Sequence, residues 1–318
     1  AYGCATGGSR LINGNLDLHE SLETDLARFL GTEAALVFST GYMANLGVLA
    51  TLAGPEDVIV SDELNHASII DGCRLSRATT RVFRHNDPLD LAHVAGDLEG
   101  HRRRLLVLDG VYSMDGDTSR LGDLVPVARS HGMVVILDDT HGIGILGDSG
   151  RGTAELEGVD VDVRIGNLGK ALGSFGAFVA CSETVRRFLV NSARSFIFTC
   201  SLAPAAVGAA QAGLRTLREE PWRRIDLLER ASELREGLAA AGFDTGKSTT
   251  HIVPVILGSN DEAMRVCEAA LALGVFAQAI RYPSVPEGTA RIRLTPTSAH
   301  TPEDISTVVR IFAEIASS

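Results

Sequence analysis

The sequence predicts an α/β protein in two parts: a mainly parallel sheet sandwiched by helices over residues 1–212, then a small α+β domain over 213–318. Two observations lead there. Short, near-continuous apolar runs alternate with amphipathic helical patterns through the first two thirds, as expected of a parallel sheet covered on both faces. After about residue 220 the rhythm changes to a charged helix followed by short strands. The composition agrees, with 45% hydrophobic and 22% charged residues over 318 positions.

Each element has its own signal. Asp17 and Glu20 form a D-x-x-E capping pattern that opens a helix with Leu22, Leu26, Phe29 and Leu30 on one face, and Gly31 ends it. Strands are then predicted at AALVFS, DVIVS, TRVFR, LLVLDG, MVVILDD, VDVRIG and GAFVAC. Helices are predicted from Tyr42, from His66, after Pro88, from Leu121 and from Glu183. A further helix is read over 203–220, then the charged helix RRIDLLERASELREGLAAAG. HIVPVIL, VFAQAI and ARIRLT read as short strands, and Pro302 starts the last helix.

Several function classes fall away at this level. A formal net charge of −11 argues against a nucleic-acid binder working by bulk electrostatics. Cys4, Cys73, Cys181, Cys200 and Cys267 are scattered, odd in number and form no CxxC pair, which suits reduced thiols in a cytoplasm and no zinc site. No run is apolar for long enough to span a bilayer, and no signal-peptide pattern is present. The sequence opens at Ala1 directly in a glycine-rich stretch, and a further N-terminal segment is expected before it.

Lys170 poses the functional question. It sits in GNLGKALGSFGAF, between two apolar runs and among small residues, although lysine is ordinarily solvated. A phosphate loop is excluded, because Arg164 stands where its first glycine belongs and Ala171 where it needs Ser or Thr. A second decoy is GIGILG, Gly142 to Gly147, a literal G-x-G-x-x-G. A dinucleotide fingerprint must open a helix, whereas this run leads into the polar loop DSGRG.

A Schiff-base lysine fits better. A pyridoxal phosphate site needs an amine, a carboxylate for the pyridine nitrogen, a phosphate cup and a cover for the ring. ILDDTHG ends an apolar strand with Asp138, Asp139 and His141; a helix cap or a metal cluster would explain these equally well, but no third metal ligand lies at a suitable spacing. STGYMAN joins strand to helix through Gly41, offering helix-start N–H groups to an anion, or else a simple tight turn. His66 starts another helix, either to stack on a ring or merely to cap. Arg291 and Arg293 share one face of the strand ARIRLT, as carboxylate ligands or as ordinary surface arginines.

Taken in order, GSRLINGNLDLHESLE, STGYMANLG, DELNHASIIDG, DGVYSMDGD, DDTHGIGILGDSGRG and LGKALGSFGAF resemble the α-oxoamine synthases along the whole chain. These are fold-type I pyridoxal 5'-phosphate enzymes. The resemblance implies a decarboxylative condensation of an amino acid with an acyl-CoA or acyl-carrier-protein thioester, giving an α-aminoketone, in a homodimer with a shared active site. It implies that Lys170 carries the cofactor and moves the α-proton. Asp138 pairs with the pyridinium and His66 stacks on the ring. Ser113 and His141 approach the phenolic oxygen, with His141 also helping in the acyl steps. Gly41 and Tyr42 lie at the phosphate, and Arg293 holds the substrate carboxylate.

Two departures stand at the phosphate. Asn167 occupies the position where the family usually has Thr, and Cys200 a position where it often has Thr or Asn. Ser201 follows Cys200, and the family brings this stretch in from the neighbouring subunit. LGKALGSFGAF and FIFTCSLAP look most like the branch that uses L-alanine, while GSRLINGNLDLH looks more like the branch that uses L-serine. Glycine, or a secondary-metabolism substrate, is a further alternative. A non-catalytic dimeric scaffold is disfavoured, because a scaffold has no use for Lys170 and Asp138.

Overall fold

Seven apolar strands make the main sheet of the computed structural model, which describes residues 2–317. They are β1 (Ala34–Phe38), β2 (Val58–Asp62), β3 (Thr79–Phe83), β4 (Arg104–Asp109), β5 (Val134–Asp138), β6 (Val163–Asn167) and β7 (Ala177–Cys181), in the order β1-β7-β6-β5-β4-β2-β3. Only β7 is reversed, pairing antiparallel with both β1 and β6 while β6, β5, β4, β2 and β3 pair in parallel. The predicted mainly parallel sheet is what forms.

Alternation within each strand explains the two covered faces. Leu36, Ile59, Val107, Ile136, Ile165 and Val179 point one way, toward α2 (Gly41–Leu52), α3 (Ala67–Ser76), α7 (Glu183–Ser192) and the single turn α8 (Arg194–Ile197). Residues one step along point to the other face. There Val37 and Phe178 meet α1 (Asp17–Leu30) and α9 (Pro204–Glu219), while Val60, Leu106 and Val135 meet α4 (Pro88–Ala95) and α5 (Leu121–Ser130).

Helix α1 starts one residue earlier than the capping pattern implies. Leu16 occupies the cap position and donates its N–H to His19 Nδ1 at 3.1 Å, so Asp17 is the first helical residue. Gly31 ends the helix with φ 71°, a left-handed conformation that glycine adopts without strain. Between α1 and the sheet, Glu23 Oε1 accepts the Val37 N–H at 2.8 Å on the outer edge of β1. Arg10 grips the same carboxylate through two bonds of 2.7 and 3.0 Å.

The chain divides into two compact units. The first holds the residues up to Val111 together with Ser119–Glu220, and the second holds Tyr112–Thr118 with the chain from Pro221 onward. The expected boundary at 212/213 falls inside α9, whose Val207, Ala210, Leu214 and Leu217 belong to the core of the first unit. The second unit contains α10 (Trp222–Ala240), β8 (Val253–Gly258), α11 (Asn260–Ala272), β9 (Gln278–Ile280), β10 (Ala290–Leu294) and α12 (Pro302–Ala316). Its strands form an antiparallel sheet in the order β8-β10-β9. The reading of the sequence omitted α11, whose buried side is made of the small residues Ala263, Val266 and Ala270.

Candidate active site

The carboxyl ends of the parallel strands carry a row of polar residues: Asp62 ends β2, Asp109 ends β4, Asp138 ends β5 and Asn167 ends β6. This is the edge at which open α/β sheets bind ligands. Asp109 and Asp138 stand side by side in register. Burial, with Asp138 as the next contributor, pushes the Asp109 carboxyl well above the usual carboxylate range.

Asp138 is buried and held on both oxygens. Oδ2 accepts from Asn45 Nδ2 at 2.6 Å, and Oδ1 accepts the Thr140 N–H at 3.1 Å. Asn45 lies on α2, an otherwise apolar helix, and also donates to Ser68 Oγ at 2.9 Å. Ser68 in turn contacts His66 Nδ1 through its hydroxyl at 2.7 Å and its N–H at 3.2 Å. His66 caps α3, and its own N–H donates to Asp109 Oδ2 at 2.7 Å. A continuous chain of hydrogen bonds therefore joins two residues that the sequence singled out, through Asn45 and Ser68, which it did not. The available signal for Asn45 was a single amide side chain in an apolar helix.

Asp139 behaves differently from its neighbour. Its Oδ2 accepts the Thr153 N–H at 2.7 Å at the start of α6 (Thr153–Leu156), and burial raises its pKa to about 7. A Cβ on Gly110, Gly142 or Gly152 would come within 2.4, 2.0 or 1.9 Å of that carboxylate. The glycines of the G-x-G-x-x-G decoy thus serve close packing, as Gly142 does against Asp139, and no helix opens from the run.

At the start of α2, Thr40 caps by accepting the Met43 N–H, which leaves the Gly41 and Tyr42 N–H groups at the helix end. A Cβ on Gly41 would lie 3.0 Å from Asn167 Nδ2. Asn167 Oδ1 already accepts the Gly169 N–H at 2.7 Å, so the amide turns its donor side to that helix start. The Tyr42 hydroxyl points away and donates to Asp71. Lys170 lies three residues beyond β6 on an exposed turn, correcting the expectation of a lysine buried among glycines. His141 is half-buried on the turn after β5. Cys200 is exposed, and its carbonyl accepts the Ser39 hydroxyl of the same chain at 3.1 Å. The Ser201 hydroxyl donates to the Gly8 carbonyl at 3.1 Å.

In the second unit the two arginines of β10 separate. Arg291 is buried and bound to Asp115 Oδ1, to the Met114 carbonyl at 3.1 Å and to the Thr289 carbonyl at 3.0 Å. Arg293 donates through Nε to the Ser113 carbonyl and forms no ion pair among the described residues. Burial alone pulls its pKa below the ordinary guanidinium value.

The residues present fit pyridoxal phosphate. Gly41 leaves space beside a helix start and an amide donor, Asp138 supplies a buried acceptor, and Lys170 supplies an accessible amine. No group of three or more His, Cys, Asp or Glu among the described residues could hold a metal ion.

Comparison with known proteins gives a consistent answer. The family model "Aminotransferase class I and II" matches residues 4–312. The 8-amino-7-oxononanoate synthase of Geobacter metallireducens is 49% identical over 318 residues, covering 99% of this chain and 81% of the relative. A serine palmitoyltransferase variant from S. paucimobilis, solved with a bound PLP–myriocin aldimine, superposes with TM-score 0.97 at 38% identity, over 99% of this chain and 80% of that one. The 8-amino-7-oxononanoate synthase of Francisella tularensis superposes with TM-score 0.83 at 27% identity, over 98% of this chain and 89% of that one. The chain belongs to the class I and II aminotransferase family and, within it, to the α-oxoamine synthases, which are pyridoxal-phosphate-dependent acyltransferases.

Proposed function

We propose that this chain condenses an amino acid, L-alanine by preference, with an acyl thioester and releases an α-aminoketone, carbon dioxide and the free thiol of the carrier; its relatives are named as synthases of 8-amino-7-oxononanoate, itself an α-aminoketone. The observation that carries the reading is the placement of an acid and an amine beyond adjacent strands, Asp138 at the end of β5 and Lys170 just past β6. When bound, pyridoxal phosphate supplies an electron sink for the pair left behind when a bond to the α-carbon breaks.

The chain's own groups do the rest. With the cofactor bound, Lys170 would hold its aldehyde, and the lysine amine would then take the α-proton and return it. Asp138, fixed by Asn45 and Thr140, would keep positive charge on the ring nitrogen. His66 would cover the ring, while Ser113 and His141 would serve the phenolic oxygen. The Gly41 and Tyr42 N–H groups and the Asn167 amide would hold the phosphate, bordered by Cys200 and Ser201. Arg293, a half-buried cation with no carboxylate of its own, takes the substrate carboxylate.

A homodimer with a shared site accords with the exposed apolar side chains of Ile12 and Phe198, 83% and 70% accessible. A reducing compartment such as the cytoplasm accords with five free cysteines. The thioester carrier is CoA or an acyl-carrier protein. L-serine is the second reading for the amino acid, because the backbone superposes better on serine palmitoyltransferase than on the Francisella enzyme.

Borohydride treatment of the cofactor-loaded protein should fix the cofactor on the peptide containing Lys170; label on another lysine refutes the assignment. Incubation with L-alanine, L-serine or glycine and a series of acyl-CoAs, followed by mass spectrometry, should show an α-aminoketone from L-alanine. A product from L-serine alone selects the second reading, and no product with any pair refutes both.

A further inference from the structure

We infer that Asn45 and Ser68 are positioning residues that fix the His66 ring as a single tautomer, with its proton on Nε2, and tie that choice to Asp138. The argument is a matter of donors and acceptors, link by link. The Ser68 N–H can only donate, and it lies 3.2 Å from His66 Nδ1, so Nδ1 must present a lone pair. With a lone pair at Nδ1, the Ser68 hydroxyl 2.7 Å away must donate as well. The oxygen of that hydroxyl is then left to accept, and the Asn45 amide donates to it at 2.9 Å. The other N–H of the same amide donates to Asp138 Oδ2 at 2.6 Å.

Each link leaves one arrangement for the next. An Asn45 amide turned the other way would set its oxygen against both Asp138 and Ser68. In the observed orientation Asn45 Oδ1 is buried without a hydrogen-bond partner, which is the cost of keeping both donors on the network. The network is shielded, since Asn45 and Ser68 are each 1% accessible. Among the described residues the carboxylate bonded to His66 itself is Asp109, which accepts the backbone N–H and not the ring. With Nδ1 occupied, Nε2–H is the group His66 has available for anything beyond the network. The proton arrangement stands on these contacts alone; its consequence for catalysis rests on the function proposed above.

Side-chain nitrogen spectra of the full-length protein labelled at histidine read the tautomer directly, with His66 assigned through His66→Gln. The expected result is a protonated Nε2 and an unprotonated, hydrogen-bonded Nδ1. Ser68→Ala and Asn45→Leu should each move the Nδ1 resonance toward that of a free imine nitrogen, Ser68→Ala by more. A proton on Nδ1 in the parent protein overturns the proposal whether or not either variant folds, and so does a His66 signal unmoved in both folded variants. Turnover of Ser68→Ala should fall by roughly tenfold in kcat, the scale of one hydrogen bond, with KM within about twofold. A parent protein that shows the expected tautomer but no condensation with any substrate refutes the proposed function and leaves the network as described.

Discussion

The two units prepare charge in opposite ways. At the end of β5 the Asp138 carboxylate is bonded on both oxygens and tied to His66 through side chains of two helices. On β10 the Arg293 guanidinium is half-buried, donates to a carbonyl and has no carboxylate partner among the described residues. Each has a like-charged neighbour that fares differently: Asp139 is sealed behind glycines, and Arg291 is paired with Asp115. A charge held rigidly by the fold is suited to act on a reaction's rate. A charge that the fold leaves uncompensated is suited to bind. The neighbours serve as controls: Arg291 already has its carboxylate, and Asp139 holds the Thr153 N–H behind close-packed glycines.

Mutation tests that contrast directly. Asp138→Ala should lower kcat by about 10²–10³-fold, the range for removing a preorganised electrostatic group, and solvent exchange of the substrate α-proton should fall with it. A variant with unaltered exchange would break the comparison at its first member. Arg293→Ala should instead raise the KM for the amino acid by roughly 30-fold, about 2 kcal/mol, with cofactor binding unchanged. An equal loss in kcat alone would show that Arg293 acts on rate.

Arg291→Ala should behave as a structural change. Losing its charge-assisted bonds to Asp115 and two carbonyls should cost about 1.5–3 kcal/mol of stability, read from urea unfolding, with KM unaffected. The smallest effect belongs to Asp139→Asn and appears in the pH profile. Burial raises the folded-state pKa of Asp139 to about 7, above the roughly 3.9 of an unfolded aspartate. Between those values the folded state keeps a proton that the unfolded state has released, so this group makes stability fall as pH rises from about 4 to about 7. Asn cannot titrate but can still accept the Thr153 N–H. Urea midpoints of Asp139→Asn should therefore decline less over that window than those of the parent.

The strands were legible because their apolar runs are local signals, and VVILD or AFVAC needs no distant information. Gly31 as a helix stop is local too. Where the signal is weak or distant the sequence says less. Helix α11 buries alanines and one valine, small side chains that mark a core face less plainly than leucines do. Asn45 meets Asp138 across 93 residues, and no short window places them together. Arg291 and Arg293 are equivalent by alternation, and only Asp115, 176 residues earlier, separates them. Lys170, Asp138, His66 and Gly41 were found through motif order, and the structure places them at strand ends and helix starts without assigning their roles.

The Arg10–Glu23 pair beside β1 has a consequence for how the protein behaves in a crowded solution. An outermost strand as apolar as AALVF offers a template on which another chain could add and begin an aggregate. Here the Val37 N–H is already bonded to a carboxylate, and that carboxylate is clamped by an arginine, with both side chains less than a tenth exposed. An incoming strand would have to displace a shielded ion pair before its carbonyl could reach Val37. Polymerisation is thereby obstructed at the edge of the sheet where the amino-acid sequence most invites it.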